Sequence, residues 1–496
     1  MGVESNHVEY SKYSKAWARC EDAVEGADAI KAKSTTYLPK LPAMDMVNGG
    51  DTLYKLYLDN ALWYPGTGRT FDAYLGTLFR KPSTKTIPSQ MAGYEDVFTS
   101  DGQTMDGFAA ELAGGMIKGF RPGVLIDYPD IDSEGMSLAE LEDAGGRPYA
   151  TMYPADRIMN WEQSLSSGKL VTSRVTLEER LTLEKAKGKY DIGSKEFATM
   201  NGYAIFRRVL SLSNGVYTQA LYVKAQDKTK KTSEFVPVES KAPTMNGEPM
   251  GFIPFIPVTP KGLVWDLNYP LINDIAVLNI ADYRNEALYR DALLFNGRPT
   301  PCVSGLIMDT PNQKSVVLGS SSILQFDTDG KWGMLGGGAD SSGLKESGND
   351  LKRQMALVGS RALAEDPRGV EAAETASIHR QGEDGILTSI AVAVSAGMSR
   401  ALEIMQMWTP GAQGEASYVV NTDFLPGNVD PARMQAMWMM LQDGKISYQT
   451  FYSYLERGEV YPAGWTIDQE IEAIKETDTA VNIGMDDIDA DTTETS

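Results

Sequence analysis

The chain of 496 residues has only two cysteines and two histidines. Cys20 and Cys302 lie far apart and form no CxxC pair, which argues against a disulfide framework and a cysteine zinc site and leaves buried free thiols. With His7 close to the first residue, a histidine metal site or a Ser-His-Asp triad would have to be built on His379 alone. That residue reads more simply as a polar side chain on a helix. The first twenty residues, MGVESNHVEYSKYSKAWARC, lack a basic segment followed by an apolar one. The longest apolar-rich run, Ile386 to Met398, is too short to span a bilayer, so neither secretion nor a membrane partner is expected. Basic charge is scarce as well: 46 Lys and Arg against 67 Asp and Glu leave a net charge of −21. A protein that gains its affinity for duplex DNA by neutralising phosphates needs the opposite balance.

Apolar residues are ample, at 42% of the chain with 23% charged, the values of an ordinary folded protein. The length exceeds what one core supports, so two or more packing units are expected, or one elongated molecule with several cores. Tyr10 to Ala32 has a helical pattern that the prolines of YLPKLP bar from continuing. DTLYKLYLDNALWYPGTGRTFDAYLGTLFRKP predicts two short helices around a Pro-Gly break. Leu53, Leu56, Tyr57 and Leu62 keep helical spacing on the first, and Phe71, Leu75, Leu78 and Phe79 on the second. A helix from Met105 to Gly119 leads through RPG into a short strand, VLIDYP. Between Tyr149 and Val258 the period shifts toward two, in runs such as YAIFRRVLSL, GVYTQALYVKA and SEFVPVES, which predicts an antiparallel sheet.

The helical period then returns. Pro270 to Gly297 predicts a rod of roughly 40 Å with Leu271, Ile275, Leu278, Ala281, Leu288, Ala292 and Phe295 on one stripe. A Gly/Ser/Pro-rich, β-like interval follows, then a helix from about Leu344 to Glu365, the loop DPRGVEA, and a very long helix from Glu374 to Trp408. On that last helix Leu387, Ile390, Ala391, Val394, Met398, Ala401, Leu402, Met405 and Trp408 share one face. A rod of roughly 50 Å with one apolar stripe has to be buried against something equally long, and the expectation is that only many identical copies closing around a hole complete that cover. Gly382 and Gly385 each cost about 1 kcal/mol relative to alanine, which fits a kink, a close helix approach or a tolerated irregularity. ASYVVNTDF reads as a strand, and three short helices follow, starting at Asp430, Ser447 and Thr466. Thr477 to Ser496 is acidic, without basic or aromatic residues, and is expected to be disordered.

Motifs for chemistry are missing. PGTGRTF departs from the GxxxxGK[ST] phosphate loop at Trp63 and Arg69. GGGADSSG lacks the strand-to-helix setting of a dinucleotide fingerprint, and VSAG around Ser395 misses the nucleophile elbow at Ala393. GEDG and MDDIDAD read as solvated acidic runs. No catalytic, cofactor-binding or metal-binding residue is expected, and no enzymatic activity.

The order of elements carries more information: a β-rich unit, a long helix, a small β-like excursion, a second helix, a short loop, a very long helix and a helical end. This order resembles the portal proteins of tailed bacteriophages, in particular a phage portal-like family once labelled only as a domain of unknown function. The residues that carry the resemblance are Trp17, YLPK at Tyr37 to Lys40, Thr67 to Pro82 closing in LGTLFRKP, YPADRIMNW ending at Trp161, FIPFIPV, PLINDIAVLNIADYR, NGRPTPCVSG, AETASIHRQ and DGKISYQTFYSYLERGEVYP. They are colinear from about Tyr10 through Glu476.

The resemblance implies an α+β portal-type subunit, elongated, with a β-rich wing (1–258), a first stem helix (270–297), a small α/β clip (298–340), a second stem helix (344–365), a tunnel loop (366–373), a tunnel helix (374–408), a return to the wing (409–429) and a helical crown (430–476). It also implies a ring, usually of twelve copies, at one capsid vertex of the virion, assembled in the host cytoplasm. Double-stranded DNA would pass through its channel, and the terminase large subunit, a head-completion, neck or adaptor protein, and the major capsid and scaffolding proteins would be its partners. Arg368, Asp366 and Glu371 in the tunnel loop and Lys331 in the clip become candidates to face DNA. Twelve copies at −21 amount to about −250 per ring, a wall that repels a moving polyanion rather than holding it. Two alternatives stand beside this one: a hydrolase or transferase working through carboxylates, and another virion assembly or scaffold component.

Overall fold

The computed structural model describes residues 2–46, 49–129, 131, 140, 145–166, 168–193, 195–226, 232–245, 247–297, 300–306, 326–335, 341–359, 373–424, 431–457, 460, 467 and 469–473. The fold is α+β. Two compact units divide the chain: Met1–Phe79 with Ser83–Thr422, and Arg80–Pro82 with Asp423–Ser496.

The first unit begins with α1 (Tyr10–Glu25), α2 (Ala27–Ala32), α3 (Pro42–Met46), α4 (Gly50–Asn60) and α5 (Gly66–Leu78). The single helix expected from Tyr10 to Ala32 is two. Gly26 breaks it at φ 98°, a backbone conformation that costs glycine little, and its N–H donates to the Asp22 carbonyl at 3.0 Å. On α4 the expected face is also corrected. Leu53, Leu56 and the following Leu62 are about half exposed, at 47%, 55% and 50%; of the expected set only Tyr57 is buried, and Tyr54 is buried with it. These rings join Ile30, Leu38, Ile280 and Tyr283 in one core cluster.

After β1 (Thr84–Thr86), α6 (Met105–Gly119) starts at Thr104, whose Oγ1 accepts from the Gly107 N–H at 3.2 Å. It leads into β2 (Gly123–Asp127), buried along its whole length. β3 (Tyr149–Tyr153) pairs antiparallel with β2. The larger sheet follows: β4 (Ile158–Ser166), β5 (Lys169–Thr182), α7 (Leu183–Lys189), β6 (Glu196–Phe197), β7 (Thr199–Met200), β8 (Tyr203–Ser213), β9 (Val216–Gln226) and β10 (Ser233–Lys241). Its strand order is β10-β9-β8-β5-β4, all antiparallel, with β6 added on β9 and β7 on β8. A two-stranded ribbon, β11 (Thr244–Met245) and β12 (Glu248–Pro249), precedes β13 (Phe255–Pro257), which lies on the other side of β2 from β3. Gly123 makes this pairing possible, because a Cβ there would stand 2.1 Å from the Phe255 ring.

Next come α8 (Asn273–Gly297), the antiparallel ribbon β14 (Thr300–Leu306) with β15 (Phe326–Leu335), α9 (Ser342–Gly359), α10 (Ala373–Trp408) and β16 (Ser417–Val419), which pairs with β1. The stripe expected on α8 is shifted. Ile272, Ile275, Ala276, Asn279, Ile280, Tyr283 and Ala287 are buried, whereas Leu288 is 38% exposed. The reason is that α1, α4, α5 and α9 all pack on α8, so burial follows its neighbours and not one line of aliphatic residues.

On α10 all nine residues from Leu387 to Trp408 named above are buried. Their cover comes from α5, α6, β2, β13 and β16 of the same chain. The expectation that this stripe needs neighbouring subunits is thereby overturned. Gly397 permits the contact, since a Cβ would lie 2.9 Å from Val258 Cγ2, while at Gly385 it would meet open space. Gly385–Trp408 is also long and apolar enough, by length and composition, to cross a membrane, which corrects the shorter span seen in sequence; its buried face makes it a core helix of this unit.

In the second unit, α11 (Pro431–Gln442) packs on α12 (Tyr448–Arg457), with the Trp438 and Phe451 rings 5.7 Å apart. Gly444 ends the first at φ 69°, and the Ser447 hydroxyl accepts from the Thr450 N–H at 3.2 Å to start the second. Residues 469–473 are helical. Thr466, the expected cap of this third helix, and the acidic stretch 477–496 lie outside the described residues.

Candidate functional site

α8 and α9 form an antiparallel pair. Going along α8, Ile275 lies beside Gly359, Asp282 beside Gly348 and Lys352, and Asn285 beside Leu344. Small residues let the rods approach: a Cβ on Gly348 would meet Asn285 Nδ2 at 3.0 Å, and one on Gly359 would meet Ile275 Cδ1 at 3.3 Å. Asn285 Nδ2 donates to the Leu344 carbonyl at 2.7 Å. Asn279, fully buried, accepts from the Thr67 N–H and hydroxyl at 3.0 and 2.9 Å and donates to the Tyr64 carbonyl at 2.8 Å, which ties α8 to the start of α5.

Asp282 is the one acid buried between the two rods among the described residues, at 1% exposure. Its Oδ1 has no hydrogen-bond partner, and the nearest cation, Lys352 Nζ, is 3.9 Å away. Burial pushes its carboxyl up to about 6, against the pull of Lys352 and with a smaller push from Glu286.

The β14–β15 ribbon joins the rods. Lys331 lies on β15, exposed, opposite Ser304, whose hydroxyl donates to the Lys331 carbonyl at 3.4 Å. Asp366, Arg368 and Glu371 lie outside the described residues, as does the loop expected to carry them. The four candidates are therefore not brought together on any described surface. What the sequence pattern missed is apolar exposure on the rods: Val277, Leu288 and Leu293 on α8, and Leu357 and Val358 on α9, are each at least 38% exposed. The same residue types at helical spacing signal burial, so only the packing of the neighbours reveals them.

A cleft of about 870 Å³ opens elsewhere in the first unit, with Met91, Tyr94, Tyr128, Arg147, Lys241 and Trp408 in its lining. Its polar tips are engaged by the protein itself. Tyr128 Oη donates to the Gly146 carbonyl at 2.7 Å, Trp408 Nε1 to the Thr244 carbonyl at 3.3 Å, and Tyr94 Oη lies 2.9 Å from Thr409 Oγ1. No Asp or Glu is among its described lining residues, and no cluster of three or more His, Cys, Asp or Glu suited to a metal occurs among the described residues. The buried carboxylates of the large sheet have structural partners. Glu179, for example, is raised by burial but brought below its ordinary range by Arg208, whose Nη2 donates to Oε2 at 3.2 Å.

A family model described as a domain of unknown function, DUF4055, matches residues 270–409. That span holds α8, the ribbon, α9 and α10, from the proline before the first rod to the residue after the last. No curated protein matches the chain.

Proposed function

We propose that this chain is the subunit of a ring-shaped portal of a tailed bacteriophage, a non-enzymatic conduit through which double-stranded DNA is packaged into a capsid and later ejected. The observation that carries this is the succession inside residues 270–409: a rod, a two-stranded ribbon, an antiparallel rod packed on the first, and a 36-residue helix returning into the β-rich body. In this proposal α8 and α9 are the stem, the ribbon belongs to the clip that docks the terminase large subunit and later a neck or adaptor protein, and α10 is the tunnel helix. The β-rich body is the wing, α11 and α12 belong to the crown, and major capsid and scaffolding proteins surround the ring at its vertex. Lys331, Arg368, Asp366 and Glu371 remain the candidates to face DNA.

Because the Leu387 to Trp408 stripe of α10 is covered within its own chain, ring closure rests on surfaces other than that stripe. The exposed aliphatic residues of α8 and α9 supply one, since apolar area left on a paired rod is removed from water when a second copy packs there. The net charge of −21 per copy suits a channel that must let a polyanion slide. End-on electron microscopy together with a mass measurement tests the proposal. Rings with an open axis are expected, and a species that stays a single compact copy at high concentration would end it.

A further inference from the structure

The segment ahead of α1 lies on β4. The His7 N–H donates at 2.8 Å to the carbonyl of Met159, a residue that the ladder between β4 and β5 skips, and Asn6 Oδ1 accepts from Arg207 of β8 at 3.4 Å. The His7 imidazole stacks on the Trp161 indole, their centroids 3.8 Å apart and their planes 19° from parallel. The Arg121 guanidinium lies over the same indole, its Cζ also 3.8 Å from the centroid. At van der Waals separation two groups cannot occupy one face of a ring together, so Trp161 is held between them. Arg121, in the link from α6 to β2, is fully buried. Its Nε and Nη2 have no hydrogen-bond partner, while Nη1 donates to the Trp265 carbonyl at 3.2 Å. Burial pushes this guanidinium down to about 9, and Glu9 is the acid that pulls it up.

The arrangement suits a neutral His7. Its Nδ1 accepts from the Glu9 N–H at 3.3 Å, so the ring's own proton is on Nε2 and an added one has to displace that bond. An added proton would also set a second cation against the indole that Arg121 already faces, just ahead of α1, where the aligned peptide dipoles disfavour positive charge. The charged groups around the ring are Glu9 on its own segment and Arg121 beyond the indole. Arg207, with Glu4 and Glu178 near it, stands against the neighbouring Asn6, and Met159 and Trp161 of β4 do not titrate. Burial pushes the imidazole below its ordinary value, Glu9 opposes this and Arg121 adds to it. We propose that residues 2–9 are an acid-released strap, docked on β4 while His7 is neutral and loosened when it takes a proton, which bares the Trp161 indole and the Met159 carbonyl. The device does not depend on the ring proposed above. Released, His7 titrates near its ordinary value of 6.5; docked, it titrates lower. Docking is therefore at full strength above that value, weakens as pH falls through it, and is constant again below the docked one.

The test uses the full chain, in which His7 and His379 are the only imidazoles to follow by NMR. His7 is expected to titrate below 6.5. E9Q removes the opposing acid from a position whose side chain makes no capping bond, and is expected to move the titration lower still. Hydrogen exchange of residues 2–9, corrected for its intrinsic pH dependence, is expected to speed up at least about threefold between about pH 7.5 and about pH 5. H7F keeps a ring on Trp161 without a site for the proton, and its segment is expected to stay protected across that range. His7 titrating at or above 6.5, a wild-type segment whose exchange shows no step, or a step of the same size in H7F overturns the strap.

Discussion

Asp282 shows what one buried group does to the rod pair. Its carboxyl has no hydrogen-bond donor and faces Lys352 at 3.9 Å across a glycine contact, so the ionised form is poorly compensated. The folded chain holds this proton up to about pH 6, against an ordinary value of 3.8. The native state therefore binds the proton more tightly than the unfolded state. Its contribution to stability is fully present below the ordinary value, is lost as pH rises through about 6, and is constant above. D282N removes the charge and keeps the shape. It is expected to stabilise the protein at neutral pH by about 1–3 kcal/mol. Thermal melting across the range should show the gap from wild type growing up to about pH 6 and level beyond. A gap independent of pH would count against the buried charge. Nothing in the sequence around Asp282 marks it, because an acid on a helix is ordinarily solvated and only the approach of α9 buries this one.

At the scale of the element, α10 is held to β16 by two serines spaced one turn apart. Ser395 Oγ accepts from the Val420 N–H at 2.9 Å and Ser399 Oγ from the Tyr418 N–H at 3.0 Å. Ser395 Oγ also donates to the Ala391 carbonyl at 2.6 Å, as serine can inside a helix. Replacing both by alanine leaves two backbone donors, Tyr418 in β16 and Val420 just after it, without acceptors and is expected to cost about 2–4 kcal/mol, read by urea denaturation. A loss within error of zero would mean that water replaces the hydroxyls. The period of hydrophobic residues made α10, α6 and the strands β8 to β10 legible in sequence, because each is a strong local pattern. It misassigned the faces of α4 and α8. The buried side of α4 presents the rings of Tyr54 and Tyr57 with Leu58 beside them and leaves Leu53 and Leu56 out, and α8 is packed on several sides around the polar Asn279. Gly26 was a visible signal for the break between α1 and α2, and the apolar pattern running through it outweighed that signal.

For the whole molecule, charge opposes assembly. Copies of net charge −21 repel one another, and salt screens that repulsion, to a Debye length of about 10 Å at 0.1 M. Assembly is expected to strengthen as sodium chloride rises from about 0.05 M to about 0.5 M, the apolar contacts being indifferent to screening or favoured by it. Sedimentation at fixed protein concentration reads this directly. Weakening with salt would mean that ion pairs dominate the contact between copies.

The amino-acid sequence by itself determined the α+β class, the order of rods and strands, and the one face of α10 that is buried. These follow from periodicity, from the glycines and prolines that interrupt it, and from composition, all properties of a segment and its near neighbours. Only the tertiary structure decided what covers that face, which side of α4 and α8 stays wet, where Asp282 is trapped, and that His7 and Arg121 close on the two faces of Trp161. Those outcomes depend on which distant segments meet, and a local pattern can say that a surface is apolar without saying what will close over it.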